Sequence, residues 1–316
     1  MTRVAAIDCG TNSIRLLVAD VPERGGHTDL VRRMEVVRLG QGVDATGRLA
    51  PQAIERTRIA LADYTEVLRG LGATEVRMAA TSASRDAANR TDFEQMVVAT
   101  LGRLPDVITG REEAELSFLG ATASLEAAAG AHGSPAPLPP FLVVDIGGGS
   151  TEFVLGDATG VRAARSVDIG CVRLTERHLH GDPPTAEEIR RAEGDIRAAL
   201  AQVAAEVPVG DTATLVGVAG SVTTVAAIAL VLPKYDAEAI HGSRIPVTAV
   251  RDVTADLLAA TREKRAAMPV MHPGRVDVIG AGALILRVLM EEFGLSEVVV
   301  SEHDILDGIA LRLARG

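Results

Sequence analysis

Two short turns of the same composition, at Asp8 and again at Asp145, carry the residue types best suited to phosphate chemistry. The first reads Asp8-Cys-Gly-Thr-Asn-Ser13 and the second reads Asp145-Ile-Gly-Gly-Gly-Ser150. Glycines allow successive backbone N–H groups to converge on an anion, and Ser and Thr hydroxyls add further donors. An aspartate at the end of a strand can hold Mg²⁺, which then bridges the carboxylate and a phosphate. The two turns together indicate a phosphate site that uses a metal.

A third turn of similar composition reads Gly217-Val-Ala-Gly220-Ser221-Val-Thr-Thr224. The first two turns each lie between two apolar runs, which predicts a strand on either side. Two halves that each begin with strand, Asp-x-Gly-x-x-Ser turn and strand predict a duplicated fold whose turns face one cleft.

The charged residues exclude several other chemistries. The 32 basic and 42 acidic residues give a net charge of −10. This balance argues against non-specific binding of nucleic acid or of an anionic membrane, although a local arginine cluster can still bind a polyanion. The only lysines, Lys234 and Lys264, are followed by Tyr and Arg, so the chain has no Walker-A lysine. Schiff-base chemistry would have to use one of these two lysines.

The cysteines and the apolar segments indicate the compartment. Cys9 and Cys171 are too few for a disulfide framework, and the first residues lack the pattern of a signal peptide. Residues 212–233 carry no charge, but glycines and hydroxyl residues interrupt them, so we predict a buried strand and helix rather than a membrane span. We therefore expect a cytoplasmic protein without a membrane partner.

Alternating strands and helices predict an α/β fold. Strands are predicted at 4–8, 14–18, 75–80, 106–109, 141–145, 151–155, 215–219 and 297–301. Helices are predicted at 50–71, after an N-cap at Thr91, from about 111, at 186–206, at 222–232, at 247–266, at 274–292 and at the end of the chain. Thr185 and Glu188 form a capping box at the start of the helix over 186–206.

The 316 residues are enough for about two domains. Residues 121–140, rich in Ala, Gly and Pro, predict a surface connection between them. We expect an N-terminal domain over 1–125 and a C-terminal domain over 126–303, with a closing helix at about 304–316 that packs back on the first domain.

This layout resembles the actin-like ATPase superfamily, which contains sugar kinases and heat-shock chaperones. Within it, the chain is similar to the exopolyphosphatase/guanosine pentaphosphate phosphohydrolase (Ppx/GppA) family, and the matching motifs include IDCGTNSIRLLVAD at 7–20, ATSASRDAANR at 80–90, ITGREEAELSFLGA at 108–121, VVDIGGGSTEFVLG at 143–156 and GVAGSVTTVAA at 217–227. The resemblance implies two actin-like (ribonuclease H-like) domains, each a mixed sheet flanked by helices, with an active-site cleft between the domains.

The resemblance also implies roles for individual residues. Glu113 would be the general base for the attacking water, with Glu112 as its solvated neighbour. Asp145 and Glu152 would be metal-side carboxylates, and Asp8 is a third candidate because it ends its strand. The phosphate-binding candidates are Thr11, Asn12, Ser13, Arg85, Gly147, Gly148, Gly149, Ser150, Gly220 and Ser221.

Without the resemblance, several of these residues have ordinary readings. Glu113 is an acidic residue in a first helical turn, and Arg85 a surface arginine. Arg173 and Arg177 lie four apart and could flank a polyanion, but a solvated helix face is favoured. The pair His303-Asp304 imitates the signature of metal phosphohydrolases of the HD type. Only 12 residues follow it, too few for the other ligands of such a site.

The expected reaction is hydrolysis of a terminal phosphoanhydride with Mg²⁺, or Mn²⁺, as cofactor. The leading substrate is inorganic polyphosphate, in short chains because the extra C-terminal domains of longer family members are absent. The alternative is guanosine pentaphosphate (pppGpp), cleaved at its 5′ end. A phosphate- or nucleotide-sensing protein without activity, and an ATP-dependent kinase, are hypotheses of other classes. The family also allows a homodimer, and no nucleic-acid partner is expected.

Overall fold

The computed structural model describes residues 1–22, 27–125, 133 and 135–315. The chain divides into two compact units. Unit 1 consists of Met1–Ala123 with Asp304–Gly316, and unit 2 consists of Ser124–His303. Part of the predicted connection over 121–140, namely 126–132 and 134, lies outside the described residues.

Unit 1 is built on a five-stranded mixed sheet in the order β3-β2-β1-β4-β5. The strands β1, β2 and β3 form an antiparallel meander, whereas β4 runs parallel to β1 and β5 parallel to β4. The bounds are β1 Thr2–Cys9, β2 Ser13–Val21, β3 Thr28–Val36, β4 Glu75–Ala80 and β5 Asp106–Val107.

Helices of unit 1 cover both faces of this sheet. They are α1 Val43–Thr46, α2 Pro51–Leu71, α3 Ser82–Asp86, α4 Arg90–Leu101, α5 Gly110–Thr122 and the last helix of the chain, α13 Ile305–Arg315. The side of β1 that carries Ala5 and Ile7 packs on α2 and α4, and the side that carries Val4 and Ala6 packs on α13. Residues 4–9 of β1 are all buried, and because successive side chains point to opposite faces of the sheet, they contribute to two separate apolar layers.

Unit 2 is built on a six-stranded mixed sheet in the order β8-β7-β6-β9-β11-β10. The bounds are β6 Phe141–Ile146, β7 Thr151–Asp157, β8 Gly160–Val167, β9 Thr214–Val218, β10 Arg244–Pro246 and β11 Glu297–Val300. The first five strands of this order repeat the arrangement of unit 1, and β10 adds an antiparallel edge. The duplication that the two turns predict is thus present in the sheets.

Helices of unit 2 enclose one large apolar core. They are α6 Cys171–His178, α7 Ala186–Glu206, α8 Ala219–Ala229, α9 Ala237–Ile240, α10 Val247–Ala259, α11 Arg262–Ala266 and α12 Ile279–Glu292, with 3₁₀ turns at Val209–Asp211 and Pro273–Arg275. The predicted capping box is confirmed, because the side chains of Thr185 and Glu188 each bond the other's backbone N–H at the start of α7.

Several predicted boundaries are wrong for local reasons. Thr91 is not an N-cap: α4 begins at Arg90, and the preceding Asn89 uses its side chain to bond the backbone of Leu49. The single helix predicted over 247–266 is two helices, because Thr261 caps a new one. The strand predicted over 106–109 ends at Val107.

Three further predictions differ from the structure. The helix predicted at 222–232 begins at Ala219, and the helix predicted at 274–292 begins at Ile279 after a 3₁₀ turn. The strands β3 and β8 are absent from the predictions because nearly all their residues are exposed or only partly buried and are mixed in polarity. Across the described residues, no helix is both long enough and apolar enough to cross a membrane.

Candidate active site

In unit 1, the turn between β1 and β2 is held by its own backbone and by the segment after β3. The N–H of Gly10 donates to the carbonyl of Ser13 (2.9 Å), and the carbonyl of Thr11 accepts from the N–H of Gly40 (2.8 Å). The Oγ1 of Thr11 lies 2.9 Å from the Oγ of Ser82, at the start of α3. This turn is therefore fixed from three sides.

Asp8 lies directly opposite Arg15 in the β1–β2 ladder. The Nε and Nη2 of Arg15 both donate to the Oδ2 of Asp8, at 3.0 and 2.6 Å. Asp8 is only 4% exposed. Burial raises the pKa of its carboxyl group, and the Arg15 guanidinium acts in the opposite direction.

The second carboxylate oxygen of Asp8 makes this turn suitable for binding a cation. Its Oδ1 is buried and accepts no hydrogen bond from the described residues, and the same holds for the Oδ1 of Asn12. Buried oxygens without a donor are costly unless a ligand binds them. Carboxylate and amide oxygens are the ligands that Mg²⁺ and Mn²⁺ prefer. The donor set thus fits a hard divalent metal.

In unit 2, the turn between β6 and β7 repeats the backbone geometry of unit 1. The N–H of Gly147 donates to the carbonyl of Ser150 at 3.0 Å, as Gly10 does to Ser13. The carbonyl of Gly148 accepts from the N–H groups of Val172 and Arg173, at the start of α6. A Cβ on Gly170 would lie 2.4 Å from the carbonyl carbon of Gly148, so this approach requires glycine.

Asp145 and Glu152 are cross-strand partners in the β6–β7 ladder. They are 7% and 1% exposed, and the Oγ of Ser166 on β8 donates to the Oε1 of Glu152 at 2.7 Å. Two buried carboxylates side by side repel each other, and a bound cation relieves that repulsion. The predicted pair is therefore together and has the chemistry of a metal site.

Glu113 lies in the first turn of α5, which Thr109 caps by accepting the N–H of Glu112. Glu113 is 7% exposed, and its Oε2 accepts from the Nη1 of Arg85 at 3.0 Å. The same nitrogen donates to the carbonyl of Ile108 at 3.1 Å. Arg85 thus holds the carboxylate at the positive end of the helix dipole.

Glu112, one position earlier, belongs to a different environment. It pairs with Arg77 at 2.7 Å and is half-exposed. The two predicted roles for this acidic pair therefore fall on residues that the structure separates: one buried and held by Arg85, the other in a surface ion pair.

The third turn opens α8. Ala219 has a left-handed backbone (φ 67°), which is strained for a residue with a Cβ. The carbonyl of Gly220 accepts a hydrogen bond from Arg275, and the same Nη1 bonds the Oγ1 of Thr224 at 3.1 Å. Ser221 is buried and bonds the thiol of Cys171. Gly220 and Ser221, which were predicted in a turn before the helix, therefore lie in the first turn of the helix itself.

The remaining sequence candidates have separate partners. The Nε of Arg173 donates to the carbonyl of Gly149 at 2.7 Å, so it braces the second turn. Arg177 pairs with Asp195 at 3.0 Å on the outside of unit 2. Asp304 pairs with Arg15.

Sequence reasoning missed Arg15, Ser166 and Arg275, which bond Asp8, Glu152 and Gly220. Only Arg15 had a signal in the sequence. It follows Asp8 by seven residues across a turn, as Glu152 follows Asp145, and this spacing makes both pairs cross-strand neighbours.

Comparison with known proteins agrees with this architecture. A model of the Ppx/GppA phosphatase family matches residues 17–315. The chain is 54% identical over 326 aligned positions to Exopolyphosphatase 2 of Mycobacterium tuberculosis, with 99% of each chain covered. It is 40% identical to an exopolyphosphatase-like protein of known structure, with a TM-score of 0.93 and 99% of each chain covered. The Aquifex aeolicus PPX-GPPA enzyme is 31% identical, with a TM-score of 0.79 over 98% of this chain and 99% of that one.

The duplicated mixed sheets and their glycine turns define a protein of the actin-like class, as the sequence predicts. Within that class, the chain belongs to the Ppx/GppA phosphatase family. The resemblance drawn from the motifs is confirmed.

Proposed function

We propose that this protein is an exopolyphosphatase, which uses Mg²⁺ or Mn²⁺ to hydrolyse the terminal phosphoanhydride bond of inorganic polyphosphate. The observation that carries the proposal is the buried pair Asp145 and Glu152 beside a turn of three glycines. Such a pair suits a divalent cation, and the glycine turn beside it suits a phosphate bound to that cation. The full-length similarity to a protein named Exopolyphosphatase 2 supports the same substrate.

Asp145 and Glu152 of unit 2 would hold a metal ion, and Asp8 of unit 1 is a further candidate ligand. When bound, the metal neutralises charge on the terminal phosphoryl group and orients it. Each unit would add its own donors for phosphate oxygens: the backbone N–H groups of its glycine turn, with the side chains of Thr11 and Ser13 in unit 1 and of Ser150 in unit 2. This set requires no lysine, which fits a chain whose basic residues are almost all arginine.

Glu113 supplies the base. Its carboxylate would accept the proton of a water molecule as the water oxygen bonds to the terminal phosphorus. The bond from that phosphorus to the bridging oxygen breaks, orthophosphate is released, and the shortened chain keeps the bridging oxygen. Arg85 would hold Glu113 in place and present positive charge to a phosphate oxygen.

The test is phosphate release by the wild type, Glu113→Gln and Glu112→Gln from short polyphosphate, long polyphosphate, pppGpp and ATP. We expect Glu113→Gln to lower kcat by about 100-fold or more, because the amide accepts no proton. Glu112→Gln is the matched control, one position away in the same helical turn, and should keep wild-type turnover.

The outcomes separate the alternatives. Faster turnover of pppGpp than of either polyphosphate would assign the protein to 5′-phosphohydrolysis of that nucleotide. Release of phosphate from none of the substrates by the wild type would favour a sensing role. Near-normal turnover by Glu113→Gln would remove that residue as the base.

A further inference from the structure

Arg15 connects two carboxylates of unit 1 that are far apart in the sequence. Its Nε and Nη2 bond the Oδ2 of Asp8, and its third nitrogen, Nη1, pairs with the Oδ2 of Asp304. A guanidinium is planar and rigid, so its three donors fix both carboxylates in relation to each other. Lysine, with a single ammonium group on a flexible stem, does not reproduce this fork.

The bonding to Asp8 is one-sided. Both bonds go to Oδ2, while Oδ1 is buried and accepts no hydrogen bond within the described parts of the chain. Rotation of the carboxylate would break two charge-assisted hydrogen bonds, which are stronger than neutral ones. Arg15 therefore fixes the orientation of the carboxylate, with one oxygen bonded to the guanidinium and the other available to a ligand.

Asp304 is itself fixed at the start of α13. Its Oδ1 accepts the N–H of Leu306 at 3.0 Å, and its own N–H donates to the Oδ2 of Asp307 at 2.9 Å. Asp307 in turn pairs with Arg32 on β3 at 2.5 Å. Asp304, the second partner of Arg15, is therefore held by α13 directly and, through Asp307, by β3.

The same helix contacts the element that carries Glu113. A Cβ on Gly120 of α5 would lie 1.8 Å from the carbonyl oxygen of Asp304, and a Cβ on Gly308 would lie 2.0 Å from the carbonyl oxygen of Leu116. The two helices thus approach at backbone distance, which leaves α13 little freedom to move relative to α5.

We propose that Arg15 is a positioning residue. It orients Asp8 so that the Oδ1 of Asp8 can bind a metal ion, and Asp304, directly before the last helix, holds Arg15 in place. The inference rests on the proposed function for the role of Asp8. It adds that a residue at the far end of the chain contributes to metal affinity without contacting the metal.

The test is the dissociation constant of Mn²⁺, measured without substrate by the electron paramagnetic resonance of free Mn²⁺, for the wild type, Arg15→Lys and Asp304→Asn. Loss of a residue that orients a metal ligand typically weakens metal binding by 10- to 100-fold. We expect about a 10-fold rise for each variant, with kcat lowered and the KM for polyphosphate within about twofold of wild type. Asp304→Asn keeps the shape of the side chain and the acceptor for Leu306, so it remains informative if Arg15→Lys does not fold.

Arg3→Met is the matched control. Arg3 also pairs with an aspartate, Asp20, directly across the same two strands, but at the opposite end of the hairpin. Its Mn²⁺ affinity and kinetics should equal those of the wild type.

The results distinguish this inference from the proposed function. Unchanged Mn²⁺ affinity in folded Asp304→Asn and Arg15→Lys would overturn it, as would a raised KM alone, which would make Arg15 a substrate ligand. A wild type that binds no Mn²⁺ would overturn it as well. A wild type that binds Mn²⁺ but releases no phosphate would refute the proposed function, and the Mn²⁺ constants of the variants would still decide the role of Arg15.

Discussion

The β1–β2 hairpin of unit 1 and the β6–β7 hairpin of unit 2 share a backbone but differ in charge. Each has an aspartate one residue before the end of its first strand, and each closes its turn with the same bond from a glycine N–H to a serine carbonyl. The residue opposite the aspartate is Arg15 in the first hairpin and Glu152 in the second. The aspartate thus faces a basic side chain in the first hairpin and a second acidic side chain in the second.

This difference shows how a duplicated scaffold can divide its work. In unit 1 a cation of the protein itself, Arg15, pairs with Asp8 and Asp304. In unit 2 the cross-strand partner of Asp145 is a second buried carboxylate, and a bound metal ion would relieve the repulsion between the two. The backbone donors are common to both hairpins, so we expect the side chain opposite the aspartate to decide which hairpin binds a metal ion more strongly.

The largest expected effect tests the acidic pair directly. Glu152→Gln removes one charge and keeps the shape, and we expect kcat at fixed Mg²⁺ to fall by about 100-fold or more because a metal ligand is lost. Asp157→Asn, near the other end of β7, is the control and should leave kcat unchanged. Equal activity of Glu152→Gln and the wild type would show that the charge difference between the hairpins has no role in catalysis.

The next effect tests whether the first glycine is packed equally tightly in the two turns. A Cβ on Gly147 would lie 2.9 Å from the carbonyl oxygen of Ser150, whereas a Cβ on Gly10 would lie 3.5 Å from that of Ser13. Gly147→Ala should therefore cost about 1–3 kcal/mol of unfolding free energy through overpacking, and Gly10→Ala less than about 1 kcal/mol. Urea denaturation of both variants checks this, and equal losses would contradict the difference in packing.

A smaller effect concerns the hydroxyl that supports Glu152. Ser166→Ala removes the 2.7 Å hydrogen bond to Oε1. We expect about a 10-fold weaker binding of Mn²⁺, because groups that orient a metal ligand contribute at that level. Calorimetric titration with Mn²⁺ measures it, with Ser296→Ala, distant in sequence and on a loop of the same unit, as the control. Unaltered affinity would mean that Ser166 does not orient the ligand.

A contact in the fold or the site could be predicted from the sequence when its two residues are close together along the chain. The spacing from Asp145 to Glu152 placed these two side chains together, because a hairpin of known register is a local structure. The buried runs of β1 and β6 were equally clear. The edge strand β3 was not, since its mixed polarity carries no periodic signal. The contact of Arg15 with Asp304 could not be found, because it depends on the return of the chain to unit 1.

The smallest expected effect concerns how the stability of unit 1 depends on pH. His27 of unit 1 lies 3.1 Å from Asp29 and 3.0 Å from Asp307, and hydrogen bonds to these carboxylates raise its pKa to about 9. Since this value exceeds the ordinary 6.5, the stabilisation is complete below pH 6.5 and is lost as the pH rises through 9. His27→Gln should therefore lower the unfolding free energy by less than about 1 kcal/mol, after allowance for screening by solvent.

The check is urea denaturation of His27→Gln and the wild type at pH 6 and pH 10. The difference between them should be present at pH 6 and absent at pH 10. His180→Gln, at an exposed histidine of unit 2, serves as the control. A difference that grows with pH would reverse the sign of the interaction.

The return of α13 to unit 1 also orders events during synthesis. Residues 1–123 leave the ribosome first, yet the helix that covers Val4 and Ala6 of β1 follows only after the 180 residues of unit 2 (124–303). At about 5–20 residues per second, that interval lasts about 10–40 s. Unit 2 is continuous in sequence and can close as soon as it emerges, whereas unit 1 must wait with one apolar face uncovered. The half that is translated second is therefore the first that can complete its native fold.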